Sequence, residues 1–93
     1  MIKHIVMWKL KNPADAALFK EKLDSCAGLV PGMHTFEVAT RAPALEANMD
    51  VVLNSVFADQ AALDAYHHHP HHKAISAMLG QLREMRCVLD YVT

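Results

Sequence analysis

The part of this sequence best suited to chemistry is a run of histidines beside a tyrosine, YHHHPHH, at residues 66–72. Histidine gains and loses a proton near neutral pH without a large pKa shift, and it is also a common metal ligand. Three interpretations of the run therefore compete. In the first, which is purely structural, Pro70 breaks a helix, His69 or its neighbour caps the next one, and the other imidazoles are solvated or partly buried.

The second interpretation is a metal site. Two histidine pairs have the i, i+4 spacing that lets two imidazoles share an ion on a helix, namely His67 with His71 and His68 with His72. However, Pro70 interrupts the helix inside each pair, and no Asp, Glu or Cys stands adjacent to complete a ligand shell. We therefore expect no dedicated metal site and no cofactor.

The third interpretation is acid–base chemistry in a pocket. In the helix expected after the break, His71 lies closest in phase to the apolar stripe and His72 lies at its edge. Tyr66 is directed inward from the helix before the break, and His4 shares a strand face with Trp8. If that strand face meets the helices, these groups converge on an apolar cavity, which is the usual form of a small-ligand site.

The elements that would position these residues follow from the hydrophobic pattern. Alternation with period two predicts four strands, at Ile2–Lys11, His34–Arg41, Asp50–Phe57 and Met85–Val92. Helical spacing and end signals predict helices from Asn12-Pro13 to Gly28, from Gln60 to about Tyr66, and from His71 to about Arg83. The order β-α-β-β-α-β predicts an α+β, ferredoxin-like fold, with both helical segments on one face of a four-stranded antiparallel sheet.

The predicted sheet is apolar on both faces, although helices can cover only one of them. Ile5 and Met7 point away from the Trp8 side of the first strand, and Val52 and Val56 point away from the buried side of the third. Each exposed aliphatic side chain forgoes roughly 1.5–3 kcal/mol of burial, and contiguous apolar surface usually marks an interface. We therefore expect a homodimer that packs through the helix-free sheet face.

Composition excludes several classes of protein. The chain has 93 residues, which predicts one domain over residues 1–93. Nine Lys plus Arg balance ten Asp plus Glu, so the polybasic surface of a nucleic-acid-binding protein is absent. No apolar run approaches the roughly 20 residues of a membrane span, and no signal peptide is recognisable, so we expect no membrane partner and a cytoplasmic location.

Six features of the sequence occur in a characteristic order. They are the opening Lys3–Lys11, Val30-Pro31-Gly32, the strand ending in Phe57, Ala62–Tyr66, His69–His72 and the closing Asp90-Tyr91. Together they resemble the stress-responsive A/B barrel (Dabb) family. The similarity spans nearly the whole chain, and its most specific part is Tyr66 followed by His69-Pro70-x-His72. The resemblance implies a ferredoxin-like subunit paired into a dimeric α+β barrel, in agreement with the two apolar sheet faces.

The resemblance also implies roles for particular residues. A plant polyketide cyclase of this family performs a cofactor-free intramolecular aldol cyclisation, and its catalytic residues match His72 as the general base, Tyr66 as the oxyanion donor or substrate-orienting group, and His4 as a pocket hydrogen-bonding group. Around them we expect a ligand pocket that includes Val6, Trp8, Val51, Leu53 and His69. This sequence departs from the cyclase at two positions: Val51 stands in place of a further pocket histidine, and bulky Trp8 stands in place of a smaller aliphatic residue. Because of Trp8, we expect that a long acyl chain does not fit. Many family members have no assigned reaction, so the alternative is a non-catalytic, stress-responsive dimeric module.

Overall fold

Four strands form one sheet in the computed structural model, which describes residues 1–93: β1 (Ile2–Leu10), β2 (Met33–Thr40), β3 (Val51–Phe57) and β4 (Arg83–Val92). Their order is β2-β3-β1-β4, and every neighbouring pair is antiparallel. Each strand begins and ends within two residues of the predicted segment. The predicted ferredoxin-like β-α-β-β-α-β arrangement is confirmed, because hydrophobic alternation encodes a half-buried strand locally.

Three α-helices connect the strands: α1 (Ala16–Asp24), α2 (Gln60–His68) and α3 (Pro70–Leu82). A 3-10 turn at Pro13–Asp15 precedes α1. Gly28, the predicted cap, has the expected αL conformation with φ 71°, but α1 ends four residues before it. The helix ends early because the N–H groups of Cys26 and Ala27 bond three residues back and not four. None of the three helices combines the length and the hydropathy that a bilayer span requires.

The break between α2 and α3 falls where proline requires it. Pro70 is the first residue of α3, and His69 before it is extended at φ −62° and ψ 133°. A residue before proline avoids the helical region, so the chain turns here and α3 starts in a new direction. The His69 side chain caps α3 by accepting a hydrogen bond from the His71 N–H at 3.1 Å. α2 extends to His68, two residues beyond the predicted end.

The helices pack on one face of the sheet and leave the other face without a cover. On the covered face, β1 buries His4, Val6, Trp8 and Leu10, and β3 buries Val51, Leu53, Ser55 and Phe57. On the helix-free face, Ile5, Val52 and Val56 are only partly buried, and Met7 is 40% exposed. The predicted division of residues between the two faces is therefore confirmed for β1 and β3.

β4 is an edge strand that the helices leave largely uncovered. Only Arg83 and Cys87 are partly buried, and the other eight residues of the ten are exposed. Arg86, Val88 and Asp90 pair with buried β1 residues and so share the helix-covered face. The covered face is therefore open to solvent along its β4 side.

Candidate functional site

A cavity of about 220 Å³ lies between the helices and the covered face of the sheet. Its apolar lining consists mainly of Val6, Trp8, Leu23, Leu53, Ile75 and Leu79. Its polar lining consists of His4, Tyr66, His72, Ser76, Arg83 and Arg86. A chamber whose wall combines apolar side chains with convergent polar groups can hold a small molecule and fix its orientation.

Tyr66 enters this cavity from the last part of α2 and is almost fully buried. Its ring packs against those of Phe57 and Phe36, with centroids 5.3 and 6.1 Å away. Burial raises the pKa of the Tyr66 phenol, and the neighbouring Cys26 thiol raises it further. The phenol is therefore neutral at physiological pH, so it can donate its proton in a hydrogen bond but does not act as a base.

His72 lies on the first turn of α3 with its ring centroid 4.3 Å from that of Tyr66. Its Nδ1 is 3.2 Å from the carbonyl of His67, to which it donates a hydrogen bond. In the neutral ring this leaves Nε2 with a free lone pair. Burial lowers the pKa of His72 below its ordinary 6.5, although the bond to the His67 carbonyl opposes the shift. His72 therefore has the protonation state and tautomer of a general base at neutral pH.

His4 is held from β1 by Asp90 of β4, which is its partner in the strand register. The His4 Nδ1 and the Asp90 Oδ1 are 2.5 Å apart, and His4 is 3% exposed. A histidine whose Nδ1 donates to a carboxylate presents Nε2 as its acceptor. The Ser55 hydroxyl also donates to the backbone carbonyl of His4 at 2.7 Å. In the sequence, Asp90 stands out only as part of the closing motif. Its contact with His4 is not visible there because it depends on how β1 pairs with β4.

His67 completes the cluster, and sequence reasoning did not place it there. Its ring centroid lies 5.2 Å from that of His4 and 5.5 Å from that of His72. Burial lowers the pKa of His67, and the neighbouring His4 adds to this effect. One feature of the sequence points to His67: it directly follows Tyr66 near the end of α2, the helix that directs Tyr66 inward.

The remaining histidines of the run have structural contacts outside the cavity. His71, which helical phase favoured over His72, donates from Nε2 to the Ser25 hydroxyl at 2.8 Å. The Ser25 hydroxyl can only accept this bond because its own proton goes to the Lys22 carbonyl. His68 donates from Nδ1 to the carbonyl of Asp64 at 2.8 Å. Helical phase placed His71 nearest to the apolar stripe of α3, but its side chain contacts Ser25 at the end of α1 and does not line the cavity.

Two residues expected in the pocket lie elsewhere. The His69 side chain caps α3 and does not line the cavity. Val51 is the β3 partner of Trp8 and belongs to the hydrophobic core. The other expected residues, His4, Val6, Trp8, Leu53, Tyr66 and His72, all line the cavity. No group of three or more His, Cys, Asp or Glu side chains is arranged to hold a metal ion.

Comparison with known proteins supplies a family and a set of structural neighbours. The family model described as "Stress responsive A/B Barrel Domain" (Dabb) matches residues 2–93. None of the curated proteins matches this sequence significantly.

Several solved structures share the fold along almost the entire chain. A dimeric ferredoxin-like protein of unknown function from Bacteroides fragilis is 27% identical, with a TM-score of 0.80 over 99% of this chain and 95% of that one. A Dabb family protein from Mesorhizobium loti is 26% identical, with the same TM-score and the same coverage of both chains. Hydroxynitrile lyase from Passiflora edulis is 18% identical, with a TM-score of 0.80 over 99% of this chain and 92% of that one, and so shares the fold alone.

Proposed function

Because the chain belongs to the stress responsive A/B barrel (Dabb) family over residues 2–93, we propose that it is a cofactor-free acid–base enzyme acting on a small carbonyl compound. The observation that carries this proposal is the pairing of His72 and Tyr66 on the wall of one cavity. His72 is a neutral base whose Nδ1 already donates a hydrogen bond, and Tyr66 is a phenol that stays protonated. Proton transfer next to a carbonyl needs both kinds of group at the same place.

The reaction begins at His72. Its Nε2 lone pair takes a proton from the carbon next to the substrate carbonyl, and the C–H electron pair forms an enolate. The enolate oxygen accepts a hydrogen bond from the Tyr66 hydroxyl, which stabilises the charge as it develops. When the enolate carbon attacks a second carbonyl, as in an intramolecular aldol cyclisation, the proton on His72 passes to the new alkoxide.

His4 acts in this scheme as a hydrogen-bonding group fixed in place by its own partner. Asp90 occupies Nδ1, so a substrate oxygen bearing a proton can donate to Nε2. A positioned group of this kind reduces the orientational freedom of the bound substrate. The catalytic roles thus fall to His72 as base, Tyr66 as oxyanion donor and His4 as a binding group.

The size of the cavity supports a compact substrate. Drug-sized ligands occupy pockets of about 300–1,000 Å³, whereas this cavity encloses about 220 Å³. Trp8 forms part of its wall and is held in place by Phe19, whose ring centroid is 5.0 Å away. A single ring with a short side chain suits this space, and a long acyl chain does not.

We further propose that the protein is a cytoplasmic homodimer joined through the helix-free sheet face. Related proteins from Bacteroides fragilis and a Jannaschia species, 27% and 26% identical, are described as dimeric. On this face Met7, Leu89 and Tyr91 are 40%, 66% and 43% exposed in the single chain. Both cysteines are free thiols, which agrees with a reducing compartment.

The test uses acetophenone, whose methyl protons exchange with solvent only through an enolate. In D₂O the wild-type protein should accelerate loss of the methyl proton NMR signal. His72→Gln should lower the rate by about 10²–10⁴-fold, because it removes the base. His71→Gln is the matched control, because its side chain contacts Ser25 and not the cavity, and it should keep the wild-type rate.

Two outcomes would contradict the proposal. Exchange at the buffer rate with wild-type protein would favour the alternative, a non-catalytic dimeric module of the same family. Equal loss of exchange in His71→Gln and His72→Gln would show that the effect comes from the fold of this region and not from a base in the cavity.

A further inference from the structure

The cavity is lined by two arginines, Arg83 and Arg86, and by no acidic side chain. The three ion pairs of the chain are made by other residues, so neither guanidinium is neutralised by a carboxylate of the protein. Asp90, the acidic residue that faces this side of the sheet, is already engaged by His4. The cavity therefore presents an excess of positive charge beside an apolar chamber.

A β-bulge is responsible for one of these arginines. Along β1 and β4, Lys9 pairs with Met85, but Leu10 pairs with Arg83, so Glu84 is skipped. In a regular ladder Leu10 would face Glu84, and an acidic side chain would share the covered face with the cavity. Bulges recur beside functional sites, where they redirect a side chain. Because of the bulge, the positively charged Arg83 pairs with Leu10 on the covered face in place of the negatively charged Glu84.

We infer that the molecule bound in this cavity carries a carboxylate, which is held by the guanidinium groups of Arg83 and Arg86. This inference rests on the proposed function and defines the substrate class: a small organic acid with an apolar body. Planar guanidinium groups form paired hydrogen bonds to carboxylates. The apolar body then lies against apolar lining residues such as Leu53 and Ile75, in the cavity that His72 also lines.

The surroundings of Arg83 favour a singly charged carboxylate over a phosphate. Arg83 is the C-cap of α3, so the carbonyl end of that helix lies at this part of the cavity. The C-terminus of a helix carries partial negative charge, whereas phosphate sites are typically built at helix N-termini. A phosphate carries more negative charge than a carboxylate, and the partial negative charge at the C-terminus of α3 would repel it more strongly.

The inference can be tested by titrating the full-length protein with three probes: 3-phenylpropanoate, its neutral amide 3-phenylpropanamide, and phenyl phosphate. Trp8 is the only tryptophan and lines the cavity, so its fluorescence reports binding directly. The carboxylate should bind about ten-fold more tightly than the amide, because charge-assisted hydrogen bonds are the stronger kind. Arg83→Gln and Arg86→Gln should each remove most of this preference, because each variant should weaken carboxylate binding more than amide binding. Lys73→Gln, an exposed substitution on α3 outside the cavity, is the control and should preserve the preference.

The outcomes separate this inference from the proposed function. Equal affinity for acid and amide, tighter binding of phenyl phosphate, absence of carboxylate binding, or full retention of the preference in both arginine variants would each overturn the carboxylate assignment. His72-dependent exchange of acetophenone would still stand in any of these cases. Conversely, tight carboxylate binding without His72-dependent exchange would retain the ligand class and remove the catalytic proposal.

Discussion

The two faces of the sheet are both apolar, but they differ in the polar groups set among the apolar side chains. On the covered face, His4 is bonded to Asp90, the Ser55 hydroxyl bonds the His4 carbonyl, and the nearby His72 bonds the carbonyl of His67. On the helix-free face, Met7 and Leu89 remain exposed with no element of the chain above them.

This difference separates two kinds of binding surface. Buried polar groups cost free energy unless they are hydrogen-bonded, so a face that keeps them needs dedicated partners. Those partners hold the groups in fixed orientations, which suits recognition of a small molecule. The helix-free face carries Lys3, Lys9 and Asn54 beside its aliphatic side chains. Its aliphatic side chains need area and a matching shape, which a second copy of the same sheet would supply in the proposed dimer.

The largest expected effect comes from placing a charge on the helix-free face. Met7→Asp should dissociate the proposed dimer, weakening it by roughly 3–5 kcal/mol, because the interface would bury an unpaired carboxylate from each subunit. Met7 is 40% exposed in the single chain, so the monomer should remain folded. Sedimentation velocity measures the change, and Ala77→Asp on the exposed side of α3 is the control. A Met7→Asp protein that stays dimeric at micromolar concentration would show that the interface lies elsewhere.

The two tyrosines allow the same substitution on opposite faces. Tyr66→Phe should slow acetophenone exchange by about 10²-fold, since it removes the oxyanion donor while keeping the ring. Tyr91→Phe, on the helix-free face, should leave the rate unchanged. The measurement is the NMR exchange rate of each variant, and equal rates for the two would remove Tyr66 from the mechanism.

Two valines on neighbouring strands allow the contributions of the two faces to the free energy of unfolding to be compared. Val6→Ala on the covered face should lower the free energy of unfolding by about 2 kcal/mol at every protein concentration, because two methyl groups are lost from the core. Val52→Ala on the helix-free face should act mainly by weakening the dimer, so its effect should depend on concentration. Urea unfolding at two concentrations tests this. If Val52→Ala lowers the free energy of unfolding equally at both protein concentrations, then Val52 lies outside the interface.

The lowered pKa values of His67 and His72 predict a pH dependence with a definite sign. The rate of exchange should fall to half of its plateau value at a pH below 6.5, and it should then decline by about ten-fold per pH unit once His72 is protonated. The unfolded chain, with ordinary histidine pKa values of 6.5, binds more protons in the window between the lowered values and 6.5. The free energy of unfolding should therefore fall as the pH decreases through that window. A rate that already halves well above pH 6.5 would contradict the assignment of His72 as the base.

The smallest effect is expected at the residue that orients His4. Asp90→Asn should weaken binding of a cavity ligand by roughly five-fold, because a partly exposed hydrogen-bonded pair contributes only modestly. Asp64→Asn, which changes an exposed carboxylate bonded to Gln60, is the matched control. Trp8 fluorescence titration with 3-phenylpropanoate measures both variants. Identical affinities would show that His4 keeps its position without Asp90.

Much of the fold could be predicted because its signals are local. Alternation predicted β1 and β3 almost to the residue, and Pro70 predicted the break between α2 and α3. The end of α1 was the clear error, since the residues between Asp24 and Gly28 carry no strong helix-breaking signal. Whether those residues continue the helix depends on the hydrogen bonds they form in the folded chain.

The candidate site was predictable only in part. His4, Tyr66 and His72 were expected in a pocket and line the same cavity, with the family resemblance and not the helical phase indicating His72. His67 and Arg86 were missed. The position of Arg86 follows from the register of β4 against β1, which residue spacing along the chain does not show. His67 meets His72 because the turn at Pro70 brings the start of α3 beside the end of α2.

By itself, the sequence determined which segments are strands and helices, where the long helical region breaks, and that both faces of the sheet are apolar. These features depend on the dihedral preferences and periodicity of neighbouring residues. Only the tertiary structure decided which polar groups meet. His4 and Asp90 are 86 residues apart in sequence, and the pairing of the first and last strands brings them within 2.5 Å. The bulge that turns Arg83 and not Glu84 toward the cavity arises from the same pairing, because register is a property of two strands together.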